Sequence, residues 1–502
     1  VTPPMPMGVV GAAGGTSGGD LVLPLVAVGT AVALAGYASL RRGLRARTRT
    51  TPGGRTPTVV PLDELDRRAG DSLVAIDDCV RTSREELSYV TARWGEEAVH
   101  AHVAAVEFAA AELAAAFRAR HQLDEGAGAR RELLEEIVAR CDAAGRRLDA
   151  EAPGFDGTRA LERAAREAVE YAETRFRRRA ARAVDTDGVL AELRERCALA
   201  AYLPVAGHDE QAKDRLVFAT TCLNGARRAL DRDEIEHAVA RLRAAEAAVD
   251  QAGVLTDGIA RLATELATAT RKLPAALAAT ARDLAEARAL LDTQGARADL
   301  RGRIAYGESV VEALRAEAPA AARGWRDPVG ALRRIEHVST GLDRALARTP
   351  DGSRALARLE RALLTARSTV AAAADHVTAY RGAVGVEART RLAEAERRLR
   401  EAENTERPPV PAPSAALADA READTQARQA RQLAERDVRT YGTPYGESLE
   451  TGGAVLGGIL LRARPGRDTG GPASYGGPGT RGRRNCGELF HTPRHPPGEG
   501  TG

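Results

Sequence analysis

Lysine is almost missing from this 502-residue chain: Lys213 and Lys272 are the only two, although Lys and Arg together number 73. Arginine carries the positive charge, and a GC-rich genome accounts for that bias as readily as a binding role does. Aromatic residues make up 3 %, with two Trp and six Phe, which excludes a core centred on large rings. The 73 basic residues stand against 70 acidic ones, and a net charge of +3 excludes the broad positive field of a nucleic-acid binder. Cys79, Cys141, Cys197, Cys222 and Cys486 are scattered with no C-x-x-C spacing. That excludes a disulfide framework and fits a reducing cytoplasm. Strict apolar–polar alternation is absent over any useful length, so no sheet is expected.

Catalytic signatures are absent too. Neither lysine follows a glycine, so there is no phosphate-binding P-loop, and no H-E-x-x-H occurs. His100 and His102 lie two apart on a helical stretch, cannot face one ligand together, and read as solvated surface histidines. His491 and His495 have ligand-like spacing, but Pro493 between them denies the helix that would align them. Gly477, Gly479 and Gly482 match G-x-G-x-x-G without a preceding strand or a following helix, a match that glycine abundance alone explains. No catalytic residue, cofactor or metal site is expected.

What is present is one apolar stretch and a long helical pattern. Leu21 to Leu40 carries no charge, and twenty residues of helix reach about 30 Å, the thickness of a bilayer's hydrocarbon core. Arg41, Arg42, Arg45, Arg47 and Arg49 follow at once. A signal peptide needs a basic start and a shorter apolar core, whereas Val1 to Gly19 has no Lys or Arg. The reading is a transmembrane helix with its arginine-rich end in the cytoplasm and a short segment outside. The arginines serve as a stop-transfer flank or contact anionic head groups.

The chain therefore divides into a Gly/Pro-rich extracytoplasmic segment (1–20), the span (21–40), an Arg-rich juxtamembrane linker (41–60), a cytoplasmic helical coiled-coil region (61–440) and a disordered Gly/Pro/Arg-rich tail (441–502). Within 61–440, apolar residues step by three and four, as in Leu73-Ile76-Val80 and Leu134-Ile137-Cys141. The longest seam runs Leu356, Leu359, Leu363, Ala366, Val370, Ala373, Val377 and Tyr380. Pro153 with Gly154, Pro204 with Gly207, Pro319, Pro328, Pro350 with Gly352, and Pro408 to Pro413 argue against continuous helix. Pro274 either kinks its helix or opens a new one. The expected fold is all-α: long antiparallel helical hairpins or coiled coil after one N-terminal span. Leu242, Leu332 and Leu417, 90 and 85 residues apart, hint at a repeat. Arg481, Arg483 and Arg484 lie in the tail without interleaved aromatics, and read as solvated.

Several phrases carry a likeness beyond composition. They are Leu34-Ala-Gly-Tyr37 leading into the arginines, Arg47-Thr-Arg-Thr-Thr-Pro-Gly53, Leu134 to Cys141, and Pro204-Val-Ala-Gly-His208. Further on come Ala244 to Ala252, Arg381-Gly-Ala-Val-Gly385, Gly452 to Leu461, and Gly479-Thr-Arg-Gly482. Over roughly residues 20–484 the chain resembles the C-terminal half of actinobacterial TPM-domain membrane proteins. The resemblance implies a preceding signal peptide and an extracytoplasmic α/β TPM domain, proposed in that family to act as a phosphatase. Only 19 residues precede Asp20, so none of that domain's site residues has a counterpart here. The Val1 start suggests an alternative start codon or truncated gene model. Asn485 to Gly502 departs from the glycine-rich family ending, as a frameshift near Arg484 would explain.

Two functions follow as expectations. The first is a non-enzymatic, membrane-tethered cytoplasmic scaffold at the plasma membrane, whose partners are lipid and other helices, in a homo-oligomer or a second protein. The second is the regulatory half of a phosphatase-like enzyme. A soluble coiled-coil DNA binder is disfavoured by the charge balance.

Overall fold

A computed structural model of the chain describes residues 60–126, 128–294, 298–317, 326–346, 352–404, 412–442, 449–461 and 471–483. The expected span 21–40 and Arg41, Arg42, Arg45, Arg47 and Arg49 lie outside them, as do Cys486, Arg484, His491 and His495. The chain from Leu62 onward forms one compact unit.

Its described residues are helical, without a strand; one isolated antiparallel bridge joins Leu460 to Pro472. In chain order the helices are α1 (Leu62–Trp94), α2 (His100–Asp124), α3 (Arg130–Arg159), α4 (Ala165–Arg196) and the short α5 (Leu199–Tyr202). Then come α6 (His208–Asp231), α7 (Ile235–Gln294), α8 (Ala298–Glu317), α9 (Pro328–Ala345) and α10 (Gly352–Ala379). Last are α11 (Val386–Glu403), α12 (Pro413–Tyr441), α13 (Leu449–Leu456) and α14 (Pro478–Arg483).

Cross-helix pairs fix the direction of the hairpins. Glu112 and His102 of α2 meet Arg140 and Glu151 of α3, so residue numbers fall along one helix as they rise along the other. The same holds for α11 and α12, through Arg398–Asp419 and Arg391–Gln426. α4 and α7 instead run parallel, with Arg175 on Asp250 and Arg179 on Asp257. Alanine makes this closeness possible: Ala366, Ala373, Ala395, Ala423, Ala427, Ala430 and Ala434 form most of the seam among α10, α11 and α12. Such seams bury little area per residue, so length and ion pairs must supply what side-chain bulk does not.

Several expectations need correction. Pro153 lies inside α3 rather than ending it; its neighbours Leu148, Ala152 and Phe155 are buried, and that packing outweighs the lost N–H. Pro274 sits within the 60-residue α7, between buried Leu273 and Ala276, so it does not open a new helix. The breaker at Pro328 does start a helix, where Asp327 caps by accepting from the Gly330 N–H at 2.9 Å. Leu356, the first residue of the longest seam, is 53 % exposed, and the buried stripe begins at Ala355 and Leu359. Leu242, Leu332 and Leu417 are all buried near the starts of their helices. Those helices are 60, 18 and 29 residues long, unlike a stack of equal units.

A further correction concerns the tail. Residues 449–461 and 471–483 are not a solvated coil but pack into the body. Ala454, Val455, Ile459 and Leu460 join the core formed with α4, α6 and α7. The Gly382 N–H donates to the Leu456 carbonyl at 2.8 Å, and a Cβ on Gly382 would strike the Val455 carbonyl oxygen. Further on, Tyr475 stacks on Phe155 with ring centroids 4.1 Å apart and donates its hydroxyl to the His102 carbonyl at 3.1 Å. Gly477 passes so close to the Gly145 carbonyl that a Cβ would collide there too. Several tail glycines thus mark close packing: Gly477 lies against backbone, and Gly453, Gly457 and Gly458 leave no room for a Cβ beside Arg215, Gln251 and Arg381.

One helical stretch among the described residues, Glu97–Asp124 (the turn before α2, and α2), is long and apolar enough to cross a membrane by length and composition. It packs against α1, α3 and α11 in this body, and a third of its most apolar window is buried.

Candidate functional site: an arginine-lined cleft

The α1, α2 and α11 helices enclose a cleft of about 500 Å³. Its apolar wall comes mainly from α2, where Ala110, Ala114 and Phe117 lie on one face, opposite Leu392 of α11. Around that wall stand six arginines and three carboxylates: Arg81, Arg84, Arg118, Arg389, Arg397 and Arg400 against Asp77, Glu394 and Glu396.

The floor is committed to structure. Arg389 is 1 % exposed and donates to Asp77, to Asp78 at 2.8 Å and to the Val384 carbonyl at 3.1 Å. Arg81 reaches Asp77 at 3.0 Å. Burial works to raise the Asp77 carboxyl, but Arg81 and Arg389 outweigh it and hold the group below its ordinary range. Beside the cleft Arg381, also 1 % exposed, grips Glu85 with two parallel bonds of 2.7 and 2.9 Å. Deeper still, Arg159 bridges Glu86 at 2.8 Å and Glu246. Three of the largest fully buried side chains in the described body are these arginines.

The mouth is not so committed. Arg84 and Arg118 make no hydrogen bond or ion pair among the described residues, and Arg400 donates only to the Glu396 backbone carbonyl at 3.2 Å. Burial, and then the neighbouring Arg81, push the Arg84 pKa down. Glu396 is pushed up by burial, with Arg81 pulling against it. Glu394 goes the other way: burial raises it, but hydrogen bonds from Arg397 and Arg398 prevail and lower it.

A second buried group lies where α6, α7 and α10 meet. His208 and His376 are both held down to about 4, mainly by burial, with Arg431 adding repulsion to each. The backbone at Leu255 hydrogen-bonds His208 and pulls its pKa the other way. Nearby, Arg261 pairs with Asp375. Unfolded histidine takes up its proton near 6.5, so between about pH 6.5 and 4 the unfolded chain binds protons that the native chain refuses. Stability is therefore complete above 6.5 and falls through that window, by on the order of 3 kcal/mol per histidine. Asp250, raised by burial to about 7 against Arg175, acts in the opposite sense. A His208→Gln/His376→Gln double variant isolates the histidine part: its urea midpoint should fall less between pH 7 and 4.5 than that of the unaltered chain.

The residues singled out in the sequence fare unevenly. His102 is not a solvated histidine: it is 6 % exposed, 3.3 Å from Thr158, and edge-on to both Phe155 and Tyr475. His100 is exposed. Gly477 and Gly479 do open a helix, the six-residue α14, but its first amides, on Gly479 and Thr480, are taken by Asp149 at 3.1 and 2.7 Å. Arg481 donates to the Asp78 carbonyl at 2.6 Å rather than to solvent. Cys79, Cys141 and Cys222 are buried and Cys197 is partly exposed, without a disulfide among the described residues. Burial raises the Cys79 thiol to about 11. Among the described residues no group of three or more His, Cys, Asp or Glu is placed to hold a metal ion. Sequence reasoning missed the cleft. Its only local trace is the three-residue spacing of Arg81 with Arg84 and Arg397 with Arg400, which on an arginine-rich helix looks like any solvated face.

These features define an all-helical protein whose buried arginines tie distant helices together and leave one basic cleft open. It is similar to two proteins of Mycobacterium tuberculosis, UPF0603 protein MT2410 (strain CDC 1551 / Oshkosh) and UPF0603 protein Rv2345 (strain ATCC 25618 / H37Rv). Each is 33 % identical over 418 residues, which cover 80 % of this chain and 62 % of the relative. The chain thus spans less than two thirds of the length of these relatives. No family model matches it, and no solved structure does.

Proposed function

We propose that the chain is a membrane-tethered cytoplasmic scaffold: 21–40 anchors it, Arg41 to Arg49 meet the inner leaflet, and the helical body presents fixed surfaces to partner helices. The observation that carries this reading is the bracing of the body. Buried pairs such as Arg381–Glu85 and Arg389–Asp78 join α1 to residues about three hundred positions later, so surfaces far apart in sequence keep a set spacing. A membrane anchor followed by a stiff body suits a positioning role. Washing purified envelopes with alkaline carbonate tests it. The full chain should stay with the membrane, and a variant lacking 21–40 should be released; release of the full chain overturns the proposal.

A second reading is favoured by the length of the relatives, of which the matched region is 62 %. In it this chain is the regulatory half of a TPM-type phosphatase-like protein. The DNA upstream of Val1 discriminates: an in-frame TPM domain supports this second reading, and a stop codon with a ribosome-binding site supports the scaffold alone.

A further inference from the structure

Three features stand outside the roles given so far: the arginine-lined cleft, the His208–His376 pair, and a second cavity beside α14. The histidine pair rests on its titration alone. The cavity of about 550 Å³ beside α14 sets Arg67, Arg68 and Arg146 against Glu64, Asp71, Asp142 and Asp149, and Asp149 is already taken by the Gly479 and Thr480 amides, so its charges nearly cancel. The cleft is different, because its cations outnumber its carboxylates and some of them lack partners.

We propose that the cleft among α1, α2 and α11 binds a phosphate group bearing an apolar substituent, held by Arg84, Arg118 and Arg400. The geometry points to this chemistry in three ways. Six arginines against three carboxylates leave the lining positive; Asp77 takes up Arg81 and Arg389, and Glu394 takes up Arg397. Arg84 and Arg118 are exposed on neighbouring helices and make no hydrogen bond or ion pair among the described residues, Arg400 lines the cleft from the third, and Glu396 is the carboxylate that offsets Arg84 and Arg400 there. A carboxylate is satisfied by a single guanidinium fork, whereas three guanidinia match a group with three or four acceptor oxygens and a charge near −2. The Ala110, Ala114, Phe117 and Leu392 wall gives a dry surface beside that charge, and about 500 Å³ holds far more than a bare phosphate ion. Such a group comes either from a small phosphate ester or from a phospholipid head group. The proposal does not depend on the scaffold reading.

Titration calorimetry on the full chain in detergent tests it with phenyl phosphate, inorganic phosphate, benzoate and dihexanoyl phosphatidylglycerol. Phenyl phosphate should bind at least tenfold more tightly than inorganic phosphate or benzoate. An Arg84→Gln/Arg118→Gln variant should lose at least tenfold in affinity while keeping its ligand-free melting temperature, since both residues are exposed and make no hydrogen bond or ion pair among the described residues. Tight binding by dihexanoyl phosphatidylglycerol that the same variant loses supports the cleft and names the head group as its source. Equal binding by the variant, or no binding by either ester, overturns the proposal.

Discussion

Replacing Arg389 with methionine should lower the unfolding free energy by about 3–5 kcal/mol, the cost of leaving a buried charge without its partner. The residue is 1 % exposed, and its guanidinium satisfies Asp77, Asp78, the Val384 carbonyl and the Arg381 carbonyl together. Methionine fills much of the volume but donates nothing. Asp77, itself 5 % exposed, is left with Arg81, and two backbone carbonyls lose a donor. Lysine should recover little, since one ammonium cannot reproduce the planar fork. The comparison is Arg436, paired with Glu387 on a surface where both side chains are 58 % exposed; Arg436→Met should change stability by no more than about 0.5 kcal/mol. Urea unfolding at pH 7 measures both. An Arg389→Met loss below about 1 kcal/mol would mean the network is ornamental.

The second large effect should come from Tyr475→Ala. Tyr475 is fully buried, stacked on Phe155, flanked by the His102 ring and bonded through its hydroxyl to the His102 carbonyl. Truncating a buried aromatic of this kind costs about 3–5 kcal/mol. Here the loss need not appear as global unfolding, because the segment 471–483, once weakened by the substitution, can leave its groove while α1 to α3 stay folded. The expected result is therefore local: proteolytic cleavage after Arg481 should accelerate by about two to three orders of magnitude, while the urea midpoint of the body moves little. Unchanged cleavage would show that Tyr475 does not hold the segment down.

The helical class was legible because steps of three and four are local: they depend on which residues share a face, and Leu73, Ile76 and Val80 are buried as the pattern implies. The prolines misled because a breaker's cost is local too, whereas the packing of Leu148, Ala152 and Phe155 that overrides it depends on α1 and α2. Glycine misled in the tail for a related reason. Gly477 lies where its backbone touches that of Gly145, and a composition count cannot distinguish that from a flexible coil. Yet the phrases Ala244 to Ala252, Arg381 to Gly385 and Gly452 to Leu461, separated in sequence, meet in space. Gln251 donates to the Gly457 carbonyl at 2.5 Å, and Gly382 to Leu456 at 2.8 Å. The buried arginines were invisible for want of contrast: among so many exposed arginines nothing local marks Arg159, Arg381 or Arg389 as interior, and their carboxylate partners lie tens to hundreds of residues away.

The central claim is that the C-terminal segments close the helical body and belong to its core. Hydrogen exchange on the unaltered full chain tests it most directly. The account predicts that amides in 454–460 and 473–476, with that of Gly382, exchange as slowly as those of α3 between Leu134 and Leu148. Complete exchange of the two C-terminal stretches at the earliest time point, with α3 still protected, would contradict it.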